Sequence, residues 1–267
     1  MSILPRALDD PQRRARLRGG IILERNPFEP PIMARGVAIG LALALVVAGI
    51  GWPLAVGTPI AIEVELLDRL ELGDDPLVRG VALVLSFAGH LLPVAFVAAI
   101  AALVARWRWG GWDLGLLLLT VLGGASVVTG VVKLLTARTR PDEAVVETLS
   151  SAFPSGHAVR AAAVYGLIAW LGLLVARRRW VRLLLPLLAV AAVGLNSLAR
   201  VALTAHWPSD VVVGVVLGAV WLAVSLYLLR PQALGVARRR AEPNVPGATE
   251  DEPPRARPRP RAQDPSQ

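Results

Sequence analysis

Six long apolar runs constrain the fold of this chain more than any other feature of its sequence. They cover residues 36–56, 80–104, 112–134, 157–176, 181–203 and 208–229, and no charged residue occurs between Leu114 and Val132. A helix needs about 20 apolar residues to cross about 30 Å of hydrocarbon. Since 55% of the 267 residues are hydrophobic and the mean hydropathy is +0.57, we predict an all-α, polytopic membrane protein with six transmembrane helices in a bundle.

The arginines predict the orientation of this bundle. Seven precede the first apolar run, and further arginines follow the second, fourth and sixth runs. The loop after the first run is instead acidic, with Glu63, Glu65, Asp68, Glu71, Asp74 and Asp75. Because arginine-rich loops remain in the cytoplasm, both termini are predicted to be cytoplasmic. This placement accounts for the net charge of +8 without a nucleic-acid partner, and the composition favours a multi-pass protein of a bacterial inner membrane.

The chain divides into three predicted regions. Residues 1–35 are expected to form a cytoplasmic leader, residues 36–230 the six-helix membrane domain, and residues 231–267 a disordered cytoplasmic tail rich in proline and arginine. Cysteine is absent, which excludes a disulfide, a thiol nucleophile and a thiolate metal site. The sequence leaves the oligomeric state open.

Three polar motifs occur at the ends of apolar runs that are predicted to lie at the outer face of the membrane. They are Lys133-x6-Arg140-Pro141, Pro154-Ser155-Gly156-His157 and Arg200-x5-His206-x3-Asp210. The spacing from Lys133 to Arg140 equals about two helical turns, so both cations are expected on one helix face. The start of the fourth run offers free backbone N–H groups to an anion. Cations, amides, one nucleophilic imidazole and a second imidazole as proton donor suit phosphoryl transfer, and neither a metal nor another cofactor is predicted.

Together the three motifs resemble the signature of the type 2 phosphatidic acid phosphatase family, which shares its catalytic core with vanadium-dependent haloperoxidases. The resemblance extends over about residues 79–230. It implies that His206 is a nucleophile that forms a phosphohistidine, that Asp210 orients its ring, and that His157 protonates the leaving group. The residues that it implies for phosphate binding are Lys133, Arg140, Ser155, Gly156 and Arg200. The membrane domain would then be a phosphatase domain with an extracytoplasmic active site.

Three further residues are of interest. The family usually has serine where this chain has Ala199, so one hydrogen bond near Arg200 is expected to be missing. Arg160 is interpreted either as pairing with Asp210 or as lining the entrance for a lipid head group. His90 lies within the second run, where a neutral histidine that is hydrogen-bonded inside the bundle is expected rather than a functional one.

The resemblance implies a membrane lipid phosphatase that hydrolyses a phosphate monoester or a pyrophosphate. We expect a polyprenyl pyrophosphate of the cell envelope, such as undecaprenyl pyrophosphate, because spent polyprenyl carriers are released on the outer face. The expected partners are the lipid phosphate substrate and the surrounding membrane lipids. One alternative is a non-catalytic transporter or scaffold of the same fold that binds an anion. A haloperoxidase is a second alternative, although six spans argue for a lipid substrate.

Overall fold

Eight helices and one small sheet make up the described part of the chain. The computed structural model describes residues 21–57, 60–70, 75–141, 150–176 and 178–233. The helices are α1 (Pro30–Val56), α2 (Ala61–Leu70), α3 (Pro76–Phe87), α4 (Leu91–Trp109), α5 (Asp113–Thr136), α6 (Gly156–Val175), α7 (Arg179–Ala202) and α8 (Pro208–Leu229). Five of them are long and apolar enough to cross a membrane, or six spans result if α3 and α4 form one bent span. The all-helical membrane architecture is therefore confirmed.

Helix α6 lies at the centre of the bundle. It packs against α5, α7 and α8, and its side chains Val159, Ala163, Val164 and Leu167 belong to the main apolar core. Because the N-terminus of α6 carries the second motif, this central position surrounds that motif with the ends of the neighbouring helices.

Two glycines allow α8 to lie directly against α6. A Cβ atom on Gly218 would be 2.3 Å from the carbonyl oxygen of Val159, and a Cβ atom on Gly214 would be 2.8 Å from that of Ser155. The four-residue spacing places both glycines on one helix face, as in other close helix pairs in membranes. The resulting contact brings the N-termini of α6 and α8 together, and with them the second and third motifs.

The second apolar run is not one continuous helix but two helices, which together can form one bent span. The chain breaks at residues 88–90, and α3 and α4 are bent by 49°. Pro93 provides the physical reason, because it has no N–H group to donate to the carbonyl of Gly89, four residues earlier. His90 caps the new helix instead, since its Nδ1 accepts from the backbone N–H of Leu92 at 3.4 Å.

Side chains from α6 and α7 bind the carbonyl groups that this break leaves free. Arg160 Nε donates to the Gly89 carbonyl at 3.2 Å, and the Tyr165 hydroxyl donates to the Ala88 carbonyl at 3.0 Å. Asn196 donates to the carbonyls of residues 85 and 86 at 2.8 and 3.2 Å. Unpaired backbone groups are costly inside a membrane. These bonds therefore hold the break in one place, beside the first turns of α6.

The segment before the first helix and the segment after the last helix pair in a short antiparallel sheet, which was not predicted from the sequence. Strand β1 (Ile21–Leu23) pairs with β2 (Pro231–Ala233), and the N–H of Leu23 donates to Asp113 at 3.0 Å. Helix α1 also begins at Pro30 rather than at residue 36. The end of the predicted leader and the start of the predicted tail are therefore structured, while residues 1–20 and 234–267 lie outside the described ranges.

Candidate active site

The first motif reaches the site through a sharp turn and not along one helix face. Helix α5 ends at Thr136, and Ala137 takes a left-handed conformation with φ of 48°. The expectation that Lys133 and Arg140 share two turns of one helix was therefore wrong. Lys133 Nζ donates to the Ser151 carbonyl. Beyond the turn, Arg140 Nη1 donates to the Ala205 carbonyl and lies 3.4 Å from His206 Nε2.

The second motif places unpaired donors at the start of α6. Ser155 is the N-cap residue, but its side chain caps no N–H group of the helix. Its hydroxyl is buried and has no hydrogen-bond partner among the described residues. The backbone N–H of Ser155 donates to the Asp210 carbonyl at 2.9 Å, which ties this motif to the third. The first turn of α6, with Gly156 and His157, therefore presents N–H groups and the positive end of the helix dipole.

The third motif buries its histidine in a defined tautomer. His206 is 1% exposed, and its Nδ1 lies 2.8 Å from the carbonyl oxygen of Ala152. A carbonyl oxygen only accepts, so Nδ1 carries the hydrogen and Nε2 keeps its lone pair. Burial, and then the charges of Arg200, Arg140 and Lys133, hold the pKa of His206 well below its usual range. This environment favours the uncharged ring, whose Nε2 faces the guanidinium of Arg140.

Asp210 is not in hydrogen-bond contact with the His206 ring. Its Oδ2 lies 3.6 Å from Nδ1 and accepts instead from the backbone N–H of Trp207 at 2.9 Å. That N–H belongs to the peptide directly after His206. In this structure Asp210 is therefore linked to the position of His206 through the backbone, while Ala152 is the direct partner of the ring.

Arg200 has a hydroxyl partner that the sequence did not predict. Its Nη1 donates to Ser86 Oγ at 2.9 Å, and Ser86 lies on α3. Arg200 therefore has a serine partner from another helix, although Ala199 beside it carries no hydroxyl. Arg200 Nε is buried and has no partner within the part of the chain that the structure describes, so it can donate to an anion.

Arg160 adds a fourth cation to this cluster. Its Nη1 would lie 3.1 Å from a Cβ atom on Gly156, which places the guanidinium over the N-terminus of α6. The charges of Arg140, Arg160 and Arg200 all act on Lys133 through space. The interpretation that Arg160 pairs with Asp210 is not supported, because the side-chain oxygens of Asp210 are bound by other groups.

His90 lies beside the site and not inside the bundle, so that expectation was wrong. It is exposed, and its ring is stacked on Phe87 with centroids 6.3 Å apart. The edge of the half-buried His157 ring lies near it, with centroids 5.7 Å apart. The break between α3 and α4 places His90 there, and no periodic pattern in the sequence indicated such a break.

Two buried residues near the site, Arg138 and Glu63, were not predicted from the sequence. Arg138 donates to Asp210 at 2.5 Å and to Glu63 at 2.9 Å. Two signals could have indicated them: a third cation in a loop predicted to face outward, where few cations are expected, and an acidic loop that could pair with it. Within the described ranges, no group of three or more His, Cys, Asp or Glu side chains is arranged to hold a metal ion.

The sequence and the fold both have known relatives. Residues 114–233 match a family model described as PAP2 superfamily. Phosphatidylglycerophosphatase B of Bacillus subtilis (strain 168) is 34% identical over 140 residues, which are 50% of this chain and 65% of the relative. The chain thus spans less than two thirds of the length of that relative.

A solved structure has the same fold. It is described as the first transmembrane PAP2 type phosphatidylglycerolphosphate phosphatase from Bacillus subtilis, and it matches with a TM-score of 0.60 at 24% identity, over 70% of this chain and 92% of that chain. At this level of identity the likeness establishes the fold. Residues 114–233, which match the PAP2 superfamily model, contain all three motifs.

Proposed function

We propose that this protein is a membrane lipid phosphatase that works through a phosphohistidine on His206. The observation that carries the proposal is the geometry of the buried His206 ring. Its Nδ1 is bound to Ala152, and its Nε2 accepts from the guanidinium of Arg140 at 3.4 Å. An imidazole whose Nε2 lone pair points at cations that attract a phosphate is placed to attack phosphorus when the phosphate takes over the Arg140 contact.

Each remaining site residue has a role in this mechanism. Nε2 of His206 forms a bond to phosphorus while the bond from phosphorus to the leaving oxygen breaks, and His157 gives its proton to that oxygen. Water then attacks the phosphohistidine, His157 takes the proton from the water, and phosphate leaves. The negative oxygens are stabilised by the donors of the three motifs, namely Lys133, Arg140, Ser155, Gly156 and Arg200.

The first candidate substrate is a polyprenyl pyrophosphate. Its support is indirect: the predicted outward orientation of the site, and Arg160, a cation beside the first turn of α6 that suits a second phosphate. A second candidate is phosphatidylglycerol phosphate, because the names of both relatives refer to phosphatases of that lipid class. Both lipids present a phosphate to the same set of donors.

The proposal includes an active site on the extracytoplasmic side and two cytoplasmic termini. Its support is the excess of arginine in alternate loops. The non-catalytic alternative, a transporter or scaffold that binds an anion, would not require a histidine tautomer whose Nε2 lone pair points at the anion-binding cations. A haloperoxidase would require a soluble substrate, whereas the long apolar helices favour a lipid.

Phosphate release by purified protein in detergent tests this function. The substrates are undecaprenyl pyrophosphate, undecaprenyl phosphate, phosphatidylglycerol phosphate and phosphatidic acid in the same micelles. We expect turnover that persists in chelator and is inhibited by vanadate, together with an acid-labile, base-stable phosphoenzyme. Activity that only Mg²⁺ or Zn²⁺ restores after chelation would contradict the mechanism.

Arg160→Ala tests the choice of substrate separately. If the extra cation binds a second phosphate, kcat/KM should fall more for the pyrophosphate than for the monophosphate. An unchanged ratio would remove this support for the pyrophosphate, and a clear preference of the wild type for phosphatidylglycerol phosphate would select the second candidate.

A further inference from the structure

Three buried charged side chains, linked by ion pairs, extend from α2 to the catalytic histidine. Glu63 on α2 accepts from Arg138 Nη2 at 2.9 Å, and Arg138 Nη1 donates to Asp210 at 2.5 Å. Asp210 in turn accepts from the N–H of Trp207, next to His206. Glu63, Arg138 and Asp210 are 3%, 4% and 0% exposed. These three side chains therefore connect α2 with the nucleophile through ion pairs that are shielded from solvent.

Glu63 and Arg138 also fix the first turn of α8. Glu63 Oε1 accepts from the backbone N–H of Ser209 at 2.9 Å, while Arg138 donates to the Ser209 hydroxyl at 2.8 Å. The Arg138 guanidinium lies 5.4 Å from the centre of the Trp207 ring. The turn from Trp207 to Asp210 is thus held by the planar guanidinium of Arg138 and the carboxylate of Glu63.

Arg138 reaches His206 by a second route as well. Its backbone carbonyl accepts from the N–H of Ala152 at 2.9 Å, and the Ala152 carbonyl binds Nδ1 of His206. The same residue therefore contacts both residues that position the ring, Ala152 through its backbone N–H and Asp210 through its carboxylate.

Stability alone does not explain this series of buried ion pairs. A buried ion pair is often no more stabilising than apolar side chains of similar volume, because the desolvation of both charges offsets their attraction. The three residues also come from three separate regions, so the fold must bring α2, the loop after α5 and α8 together to form the chain. Glu63 lies outside the three motifs, and Arg138 occupies one of the unspecified positions between Lys133 and Arg140.

We propose that Glu63 and Arg138 are positioning residues for catalysis, which hold Asp210 and through it the His206 ring in the orientation for in-line attack. This inference rests on the proposed function of His206. Neither residue is expected to touch the substrate, so both act on the chemical step and not on phosphate binding. Helix α2 thereby becomes a functional part of the enzyme and not only a connection between the first two spans.

Glu63→Gln and Arg138→Lys test the inference with little change in volume. In Glu63→Gln the amide can still accept from Ser209 but no longer pairs with Arg138. In Arg138→Lys the charge remains, but a compact ammonium cannot bridge three acceptors as a planar guanidinium does. The matched control is Glu65→Gln on the same helix, because Glu65 is exposed and pairs only with the exposed Arg69 among the described residues.

Turnover and anion binding are measured for the four proteins. We expect kcat of both variants to fall by about tenfold or more, with KM within about twofold of the wild type. Calorimetry should show weaker binding of vanadate, which can accept an axial bond from Nε2, and nearly unchanged binding of inorganic phosphate, which cannot. The Glu65→Gln control should match the wild type in all four quantities.

Two results would overturn the inference. One is a kcat for Glu63→Gln equal to that of the control. The other is a parallel loss of vanadate and phosphate binding, which would indicate general loosening of the site. If Arg138→Lys does not fold, Glu63→Gln decides alone. A wild type that binds vanadate but releases no phosphate from any lipid would count against the proposed function, whereas the vanadate-to-phosphate binding ratio still tests the positioning role.

Discussion

At the scale of single residues, His206 and His157 have distinct environments and should have distinct mutational effects. His206 is fully buried with Nε2 next to Arg140, whereas His157 is half-buried in the first turn of α6. His206→Ala should abolish turnover of every substrate because the attacking atom is lost. His157→Ala should retain much of the attack on an aryl phosphate, since a weakly basic leaving oxygen needs little protonation. The assay compares an activated aryl phosphate with a lipid phosphate, and equal losses on both substrates would contradict this division of roles.

The bond between Ser86 and Arg200 leads to a second prediction at this scale. Removal of the Ser86 hydroxyl leaves Arg200 without its observed partner, and a lost hydrogen bond of this kind costs about 0.5–1.5 kcal/mol. In Ser86→Ala we expect kcat/KM to fall by about two- to tenfold, mainly through weaker phosphate binding. Ser126→Ala is a suitable control, because among the described residues the Ser126 hydroxyl bonds only to Leu122 of its own helix. If Ser86→Ala binds phosphate as the wild type does, Ser86 does not compensate for Ala199.

The residues of the three motifs could be predicted because their spacing is local and specific. For Arg138 the sequence offered only its unusual place in an outward-facing loop, because its role depends on Glu63, which is 75 positions away in the sequence and meets it only in the folded protein. Ser86 was missed for the same reason, since 114 positions separate it from Arg200. Local patterns indicate which groups are available, but long-range contacts decide which of them act together.

At the scale of helices, the contact of α6 with α8 determines how the second and third motifs meet. In Gly218→Ala the new Cβ atom would lie 2.3 Å from a backbone carbonyl oxygen, so the helices must separate. Overpacking of this kind costs about 1–3 kcal/mol. We expect a lower melting temperature and a lower kcat, because Ser155 and Asp210 move apart.

Gly194→Ala on α7 is the matched control for that variant. Apart from its chain neighbours and the adjacent backbone of its own helix, no described atom lies within 4 Å of the position that its Cβ atom would occupy, and alanine favours a helix over glycine by about 0.5–1 kcal/mol. The control should therefore be as stable as the wild type or more stable. A Gly218→Ala protein that melts at the wild-type temperature would show that the close contact of α6 and α8 is not required.

The break between α3 and α4 shows where helix prediction from hydropathy fails. The run from 80 to 104 contains no Asp, Glu, Lys or Arg, and a proline is tolerated in many membrane helices. What converts Pro93 into a break is the set of partners around it, because Arg160, Tyr165 and Asn196 bind the carbonyl groups that are freed. Those partners are supplied by α6 and α7, so the apolar run alone could not predict the bend.

At the scale of the whole molecule, the orientation in the membrane leads to a further prediction. The chain contains no cysteine, so single cysteines can report accessibility. Glu65 is exposed on α2 near the active site, and Arg178 is exposed between α6 and α7 at the opposite end. With an extracytoplasmic site, Glu65→Cys should react with an impermeant thiol reagent in intact cells, and Arg178→Cys only after lysis. The reverse pattern would invert the topology and place the site in the cytoplasm.

The sequence by itself determined the membrane class, the helical architecture and the identity of the motif residues, since apolar length and local spacing are properties of the chain alone. The tertiary structure decided three other features. It split the second run into α3 and α4, it gave His206 a carbonyl partner at Ala152, and it joined Glu63 to Asp210 through Arg138. Each depends on hydrogen bonds between residues that are distant in sequence. Such bonds form only after the helices have packed, because buried polar groups must find partners wherever the fold supplies them.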